Sequence, residues 1–130
     1  MAGEQRGEFR GASRWLRVAS LVVAALFVAF WLTFAVGEVV GGDPSGLAHL
    51  APALAMALLV IIALRRPAPG AVAFVTLGVA WTAYYLVRSG FRLEGSAAVL
   101  LVAGPFVLVG LLLGAALIAR PKPSKGRDES

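Results

Sequence analysis

The chain has 130 residues, of which 59% are apolar or aromatic and only 15% charged, and its mean hydropathy is +0.84. That balance excludes an ordinary soluble domain, whose core is diluted by a polar surface. Twelve Lys and Arg against seven Asp and Glu leave a net charge of +5, but the cations sit beside the ends of apolar segments, so they face lipid head groups and set topology rather than track a nucleic-acid backbone.

No cysteine is present, which removes disulfides, thiol catalysis and thiolate metal sites. The first residues mix Gly, Arg, Glu and Gln and are expected to form a disordered cytoplasmic tail over residues 1–14. Span one follows at about 15–36. From Arg17 to Glu38 it covers about 31 Å at about 1.5 Å per residue, one hydrocarbon core. A cleaved signal peptide is the competing reading, because Arg14 and Arg17 precede the run and Ala35-Val36-Gly37 resembles a cleavage site. The apolar run of nearly 20 residues is too long for a signal core of about 7–15.

The cluster from Gly41 to Gly46 marks a turn and offers Asp43 or Ser45 as a helix cap. Span two, 47–64, stops at Arg65-Arg66-Pro67. Pro67 drives Arg66 out of helical geometry and Pro69 suits the first turn of the next helix, so spans two and three form a tight hairpin. Span three, 71–87, closes at Arg88-Ser89-Gly90, and span four, 97–119, ends at Arg120-Pro121 before a disordered tail at 121–130. Residues 15–120 are thus read as one transmembrane domain: an all-α integral membrane protein whose four transmembrane helices form an antiparallel up-down bundle.

Ten cations (Arg6, Arg10, Arg14, Arg17, Arg65, Arg66, Arg120, Lys122, Lys125 and Arg127) fall on one side of this arrangement and two, Arg88 and Arg92, on the other. The positive-inside rule then places both termini in the cytoplasm of a cell-membrane protein, with Glu38, Asp43 and Glu94 facing outward. A weak internal echo accompanies this: Trp31, Pro52 and Arg66-Pro67 in one half answer Trp81, Pro105 and Arg120-Pro121 in the other. The same residues also serve as ordinary boundary markers in any multi-span chain.

Three constellations bear on function. Gly110 and Gly114 have GxxxG spacing, which lets another backbone approach span four, either within the bundle or from a second chain. Phe27, Phe30, Trp31 and Phe34 form an aromatic stripe on span one. Helix or lipid packing accounts for it; with one histidine and no ligand set, no cofactor is expected. Glu38, His49, Arg88 and Arg92 stand at the outward ends of the helices, where they either form a small polar cluster or remain separate hydrated charges, and Glu38 and His49 are expected to lie close together across the short loop. Gly104-Pro105 predicts a kink in span four, while Pro52 disturbs span two only if that helix has already begun.

No Asp, Glu, Lys, Arg or His lies in the middle of a span, unlike the deep carboxylate on which the similarly sized small multidrug exporters depend. The run Glu38, Gly/Pro turn, His49-Leu50-Ala51-Pro52, Arg65-Arg66-Pro67, Gly70, Phe74, Gly78, followed by Pro105-Phe106-Val107-Leu108-Val109-Gly110-Leu111, resembles an uncharacterised family of small prokaryotic four-span integral membrane proteins, a domain of unknown function. The resemblance covers about Val18 to Ile118 and departs at Arg65-Arg66, where a Trp is often expected. It implies the architecture and no activity. The expected role is non-enzymatic, with the lipid bilayer and itself or another membrane protein as partners and no nucleic acid; the alternative is a small transporter or channel subunit using the outer polar cluster.

Overall fold

The computed structural model describes residues 2–90, 96, 97 and 99–120. Four α-helices carry the fold: α1 (Ala2–Val40), α2 (Leu50–Arg65), α3 (Pro67–Ser89) and α4 (Gly104–Ile118), with a 3-10 helix over Pro44–His49 and a π-helical turn over Val99–Ala103. No strand is present among the described residues. The segments Gly11–Val40, Pro44–Arg65, Pro67–Ser89 and Val99–Ile118 are each long and apolar enough to cross a membrane. The protein is therefore an all-α four-helix membrane bundle.

Its outer surface shows why. Trp15, Leu26, Leu54, Leu58, Val72, Val87, Leu100 and Ile118 all stand more than half exposed on different helices. Water would oppose so continuous an apolar exterior, whereas lipid tails solvate it at no cost. Hydroxyls in these helices turn back on the chain: Ser20 donates to the Arg17 carbonyl at 2.7 Å, Thr33 to Ala29 at 2.8 Å and Thr82 to Gly78 at 2.8 Å. Each is thereby satisfied without a partner helix.

The interior is filled by a few large side chains set among alanines. Phe74, Phe106, Met56 and Val109 are fully enclosed, with Ala24, Ala53, Ala63, Ala71 and Ala116 around them. Phe106 lies at the centre, edge-on to Phe27 at 5.3 Å and tilted against Trp81 at 5.5 Å and Phe74 at 6.2 Å. Such tilted and edge-to-face pairs add to what shape alone provides. α3 and α4 meet closely because Gly78 and Gly110 carry no side chain: a Cβ on Gly78 would fall 2.6 Å from Val107 Cγ2, and one on Gly110 would fall 2.7 Å from Val75 Cγ2. Half of the aromatic stripe serves this core, since Phe27 and Trp31 are buried while Phe30 and Phe34 remain exposed.

Three boundaries differ from expectation. The helix of span one extends back to Ala2 instead of starting near residue 15 after a disordered tail. Once span one supplies the nucleus, each further residue adds one hydrogen bond, and Glu, Gln, Arg and Ala favour that extension despite Gly3, Gly7 and Gly11. α3 starts at Pro67 rather than at Pro69 or Ala71, because the ring of Pro67 is itself accepted in a first turn, and Arg66 (φ −137°, ψ 86°) is the single non-helical residue between α2 and α3. Span two opens as the 3-10 helix, where the Leu50 N–H reaches back to the carbonyls of Leu47 and Ala48 ahead of Pro52. The kink expected at Pro105 takes the form of the π-helical turn immediately before it, a widened turn that gives the proline ring room. Residues 121–130, expected to form the second disordered tail, lie outside the described residues.

Candidate functional site

The chain reverses between α1 and the 3-10 helix through a compact cap. Gly42 adopts φ +89°, its N–H donates to the Val39 carbonyl at 3.1 Å, and the Asp43 N–H donates to Glu38 at 2.9 Å. This paired pattern closes the last turn of α1, and only a residue without Cβ adopts the left-handed conformation easily. Asp43 then caps the next element: its Oδ1 accepts the Ser45 N–H at 2.8 Å. That N–H, and then the Ser45 hydroxyl, hold the Asp43 carboxyl below its ordinary range, with a smaller contribution from His49.

Gly46 decides where the chain goes next. It is buried, and a Cβ there would come 2.9 Å from the Ala35 carbonyl oxygen and 2.8 Å from Glu38 Cβ. The 3-10 helix therefore lies directly on α1 and carries His49 back to Glu38. His49 Nδ1 stands 2.8 Å from Glu38 Oε2. Both atoms are shut off from solvent, and the contact is a close approach without hydrogen-bond alignment, so neither atom has a hydrogen-bond partner, although each side chain as a whole remains about a third exposed, 32% for His49 and 31% for Glu38.

Aromatic rings complete the setting. The His49 imidazole stacks on Trp31 with centroids 5.2 Å apart and planes inclined by 18°, and it meets Phe34 at 5.9 Å. Trp31 is 7% exposed and its indole Nε1 has no hydrogen-bond partner; a buried donor in that condition costs on the order of 1–3 kcal/mol. The sequence reasoning placed Trp31 in a packing stripe and did not connect it to the histidine. The available signal was helical spacing, since Trp31, Phe34 and Glu38 fall on one face of α1 at intervals of three and four.

Of the other members of the expected polar cluster, Arg88 makes its contact elsewhere. Arg88 donates from Nη1 to the Tyr84 hydroxyl at 3.0 Å, one turn back on α3. Arg92 and Glu94 lie outside the described residues. Among the residues whose side chains are described, Glu38–His49 is the one close contact between an acidic and a basic side chain, and no group of three or more His, Asp or Glu comes together. What this site offers is a carboxylate that orients an imidazole against an indole face.

At the opposite end, Arg17, Leu64 and Leu113 line one crevice, which brings the start of span one beside the ends of α2 and α4. The two glycines of span four separate in role. Gly110 is taken up by α3, whereas a Cβ on Gly114 would meet nothing within 4 Å. Gly114 and Ala115 line an open apolar groove with Ala71, Val72, Val75 and Thr76 of α3.

No curated protein and no solved structure matches the chain. A family model does, over residues 8–125, and its description is that of a domain of unknown function. That match spans all four helices, and the chain belongs to the DUF7670 family.

Proposed function

We propose that this protein is a non-enzymatic component of a prokaryotic cell membrane, acting through association of its helices with a second copy of itself or another membrane protein. The observation that carries the reading is on α4: a Cβ at Gly110 would meet α3, while Gly114, one turn further, is open and lines, with Gly110, Leu111, Ala115 and Ile118, the α4 side of an apolar groove against α3. In lipid, helices associate where small residues permit close backbone approach. Both termini are cytoplasmic in this reading, supported by arginines at 14, 17, 65, 66 and 120 at one end and Arg88 at the other.

The test is self-association in vesicles at low protein-to-lipid ratio, followed by energy transfer between labelled copies. Gly114→Leu abolishes the transfer while leaving the helix content unchanged. A chain that is monomeric under these conditions and captures no membrane partner through this face overturns the proposal. Solute flux in the same vesicles that disappears with Glu38→Gln or His49→Ala would favour a transporter or channel subunit instead. Reporters inserted between Gly41 and Ser45 are inactive if they require the cytoplasm; activity there reverses the assigned orientation.

A further inference from the structure

The contact between Glu38 and His49 ties the last turn of α1 to the entry of α2, and everything between them is short and weakly self-supporting. The connection is the Gly41–Asp43 turn and the six-residue 3-10 helix Pro44–His49, whose hydrogen bonds are poorer than those of an α-helix. The hold of this segment on α1 therefore depends on what it touches. At its far end that is Glu38, Trp31 and Phe34.

We infer that Glu38, His49 and Trp31 form a protonation-sensitive latch on the hairpin between α1 and α2. With a proton on both nitrogens, the imidazolium sets a positive Nδ1 2.8 Å from Glu38 Oε2 and lays a cationic ring on the indole face, so its charge is attracted to both neighbours. A neutral imidazole loses the charge on both contacts. Of its two tautomers, the one with the proton on Nε2 sets the Nδ1 lone pair against the carboxylate. Since Oε2 and Nδ1 are closed to solvent and neither has a hydrogen-bond partner, water does not compensate for that loss in the closed arrangement.

The surrounding charges point the same way. From the turn, Asp43 acts on His49 through its field. On α1 the facing groups are Glu38 and the uncharged rings of Trp31 and Phe34. On α3, Arg88 donates to the Tyr84 hydroxyl. The latch closes when Glu38 is ionised and His49, the one histidine in the chain, is protonated. It is independent of the association proposed for α4.

The chain has no cysteine, so Val40→Cys with Leu47→Cys gives a unique pair of spin-label sites at two exposed positions flanking the hairpin turn. The distance distribution is narrow at pH 6 and broadens at pH 8.5, across the range where imidazole titrates. His49→Gln and Glu38→Gln each remove the difference between the two pH values. In a second measurement, Trp31 fluorescence in a Trp15→Phe, Trp81→Phe background follows one proton between pH 5 and 8, and His49→Gln flattens it. Equal distance distributions at both pH values, or a pH response that survives His49→Gln, overturns the latch. Circular dichroism of each variant at pH 6 verifies that the helices are intact.

Discussion

Gly110 of α4 lies so close to Val75 of α3 that a side chain at position 110 would have its Cβ 2.7 Å from Val75 Cγ2 and 3.0 Å from the Val75 backbone nitrogen. Space is absent there and present one turn away at Gly114. The pair predicts opposite results for the same substitution. Gly110→Ala destabilises the bundle by about 1–3 kcal/mol through overpacking. Gly114→Ala is neutral or stabilising by up to about 1 kcal/mol, since alanine favours a helix over glycine. Unfolding of the two variants in mild detergent measures the difference directly, and equal losses at both positions would contradict this geometry.

Phe106 gathers three rings from two helices, Phe27 of α1 and Phe74 and Trp81 of α3, and has no exposed surface. Phe106→Ala is expected to cost about 3 kcal/mol, the low end for such a truncation. The reason is that lipid is as apolar as the core, so the transfer contribution shrinks and the lost dispersion contacts dominate. Leu54→Ala, at a side chain 65% exposed, changes stability by less than about 0.5 kcal/mol. The same detergent unfolding series compares the two.

The coupling between Glu38 and His49 is accessible to a double-mutant cycle with Glu38→Gln and His49→Gln. Both side chains are about a third exposed, 31% and 32%, so solvent screens the pair and the expected coupling at pH 6 is about 0.5–1.5 kcal/mol. It falls at pH 8.5. An independent measurement replaces both residues by cysteine: oxidation in membranes forms an intramolecular disulfide, which requires Cα atoms within roughly 7 Å. Two cysteines that stay reduced and are freely labelled by an impermeant reagent would show that the hairpin does not close here.

Asp43 predicts an acid limit for the turn. Its folded carboxyl titrates below the ordinary value of 3.8, chiefly because the Ser45 N–H bonds the ionised form. A lowered folded value means that the cap's contribution is complete above the ordinary range and is lost as the pH falls through the folded value. Hydrogen exchange at the Ser45 amide, corrected for its intrinsic pH dependence, should therefore lose protection only in that acid range. Asp43→Ala removes the protection at every pH, while Asp43→Asn, which still accepts the bond, retains most of it and no longer responds to acid.

Much of this molecule is legible in one dimension because a bilayer imposes a length and proline and glycine impose stops. Four apolar blocks, the Arg66-Pro67 break, the Gly90 stop with φ +60° and the Asp43 cap all follow from local chemistry and are found where that chemistry puts them. The extension of α1 to Ala2 was hidden by a glycine-containing, polar segment whose helical order depends on the span it continues.

Sequence alone determined the number of crossings, their approximate ends and the distribution of charge, since each is set by residues near one another in the chain. It did not determine which face of each helix points inward. In a soluble bundle the polar face marks the outside, but here lipid and core are equally apolar, so Phe106 and Leu108 read alike although one is enclosed and the other 47% exposed. The proximity of Glu38 and His49 follows from the short loop between them, but only the tertiary structure assigned Gly110 to α3 and left Gly114 open, turned Arg88 to Tyr84, and laid Trp31 against the imidazole. Those choices are made by the shapes of side chains meeting across helices, where a missing Cβ or a stacked ring decides an approach that apolar periodicity does not encode.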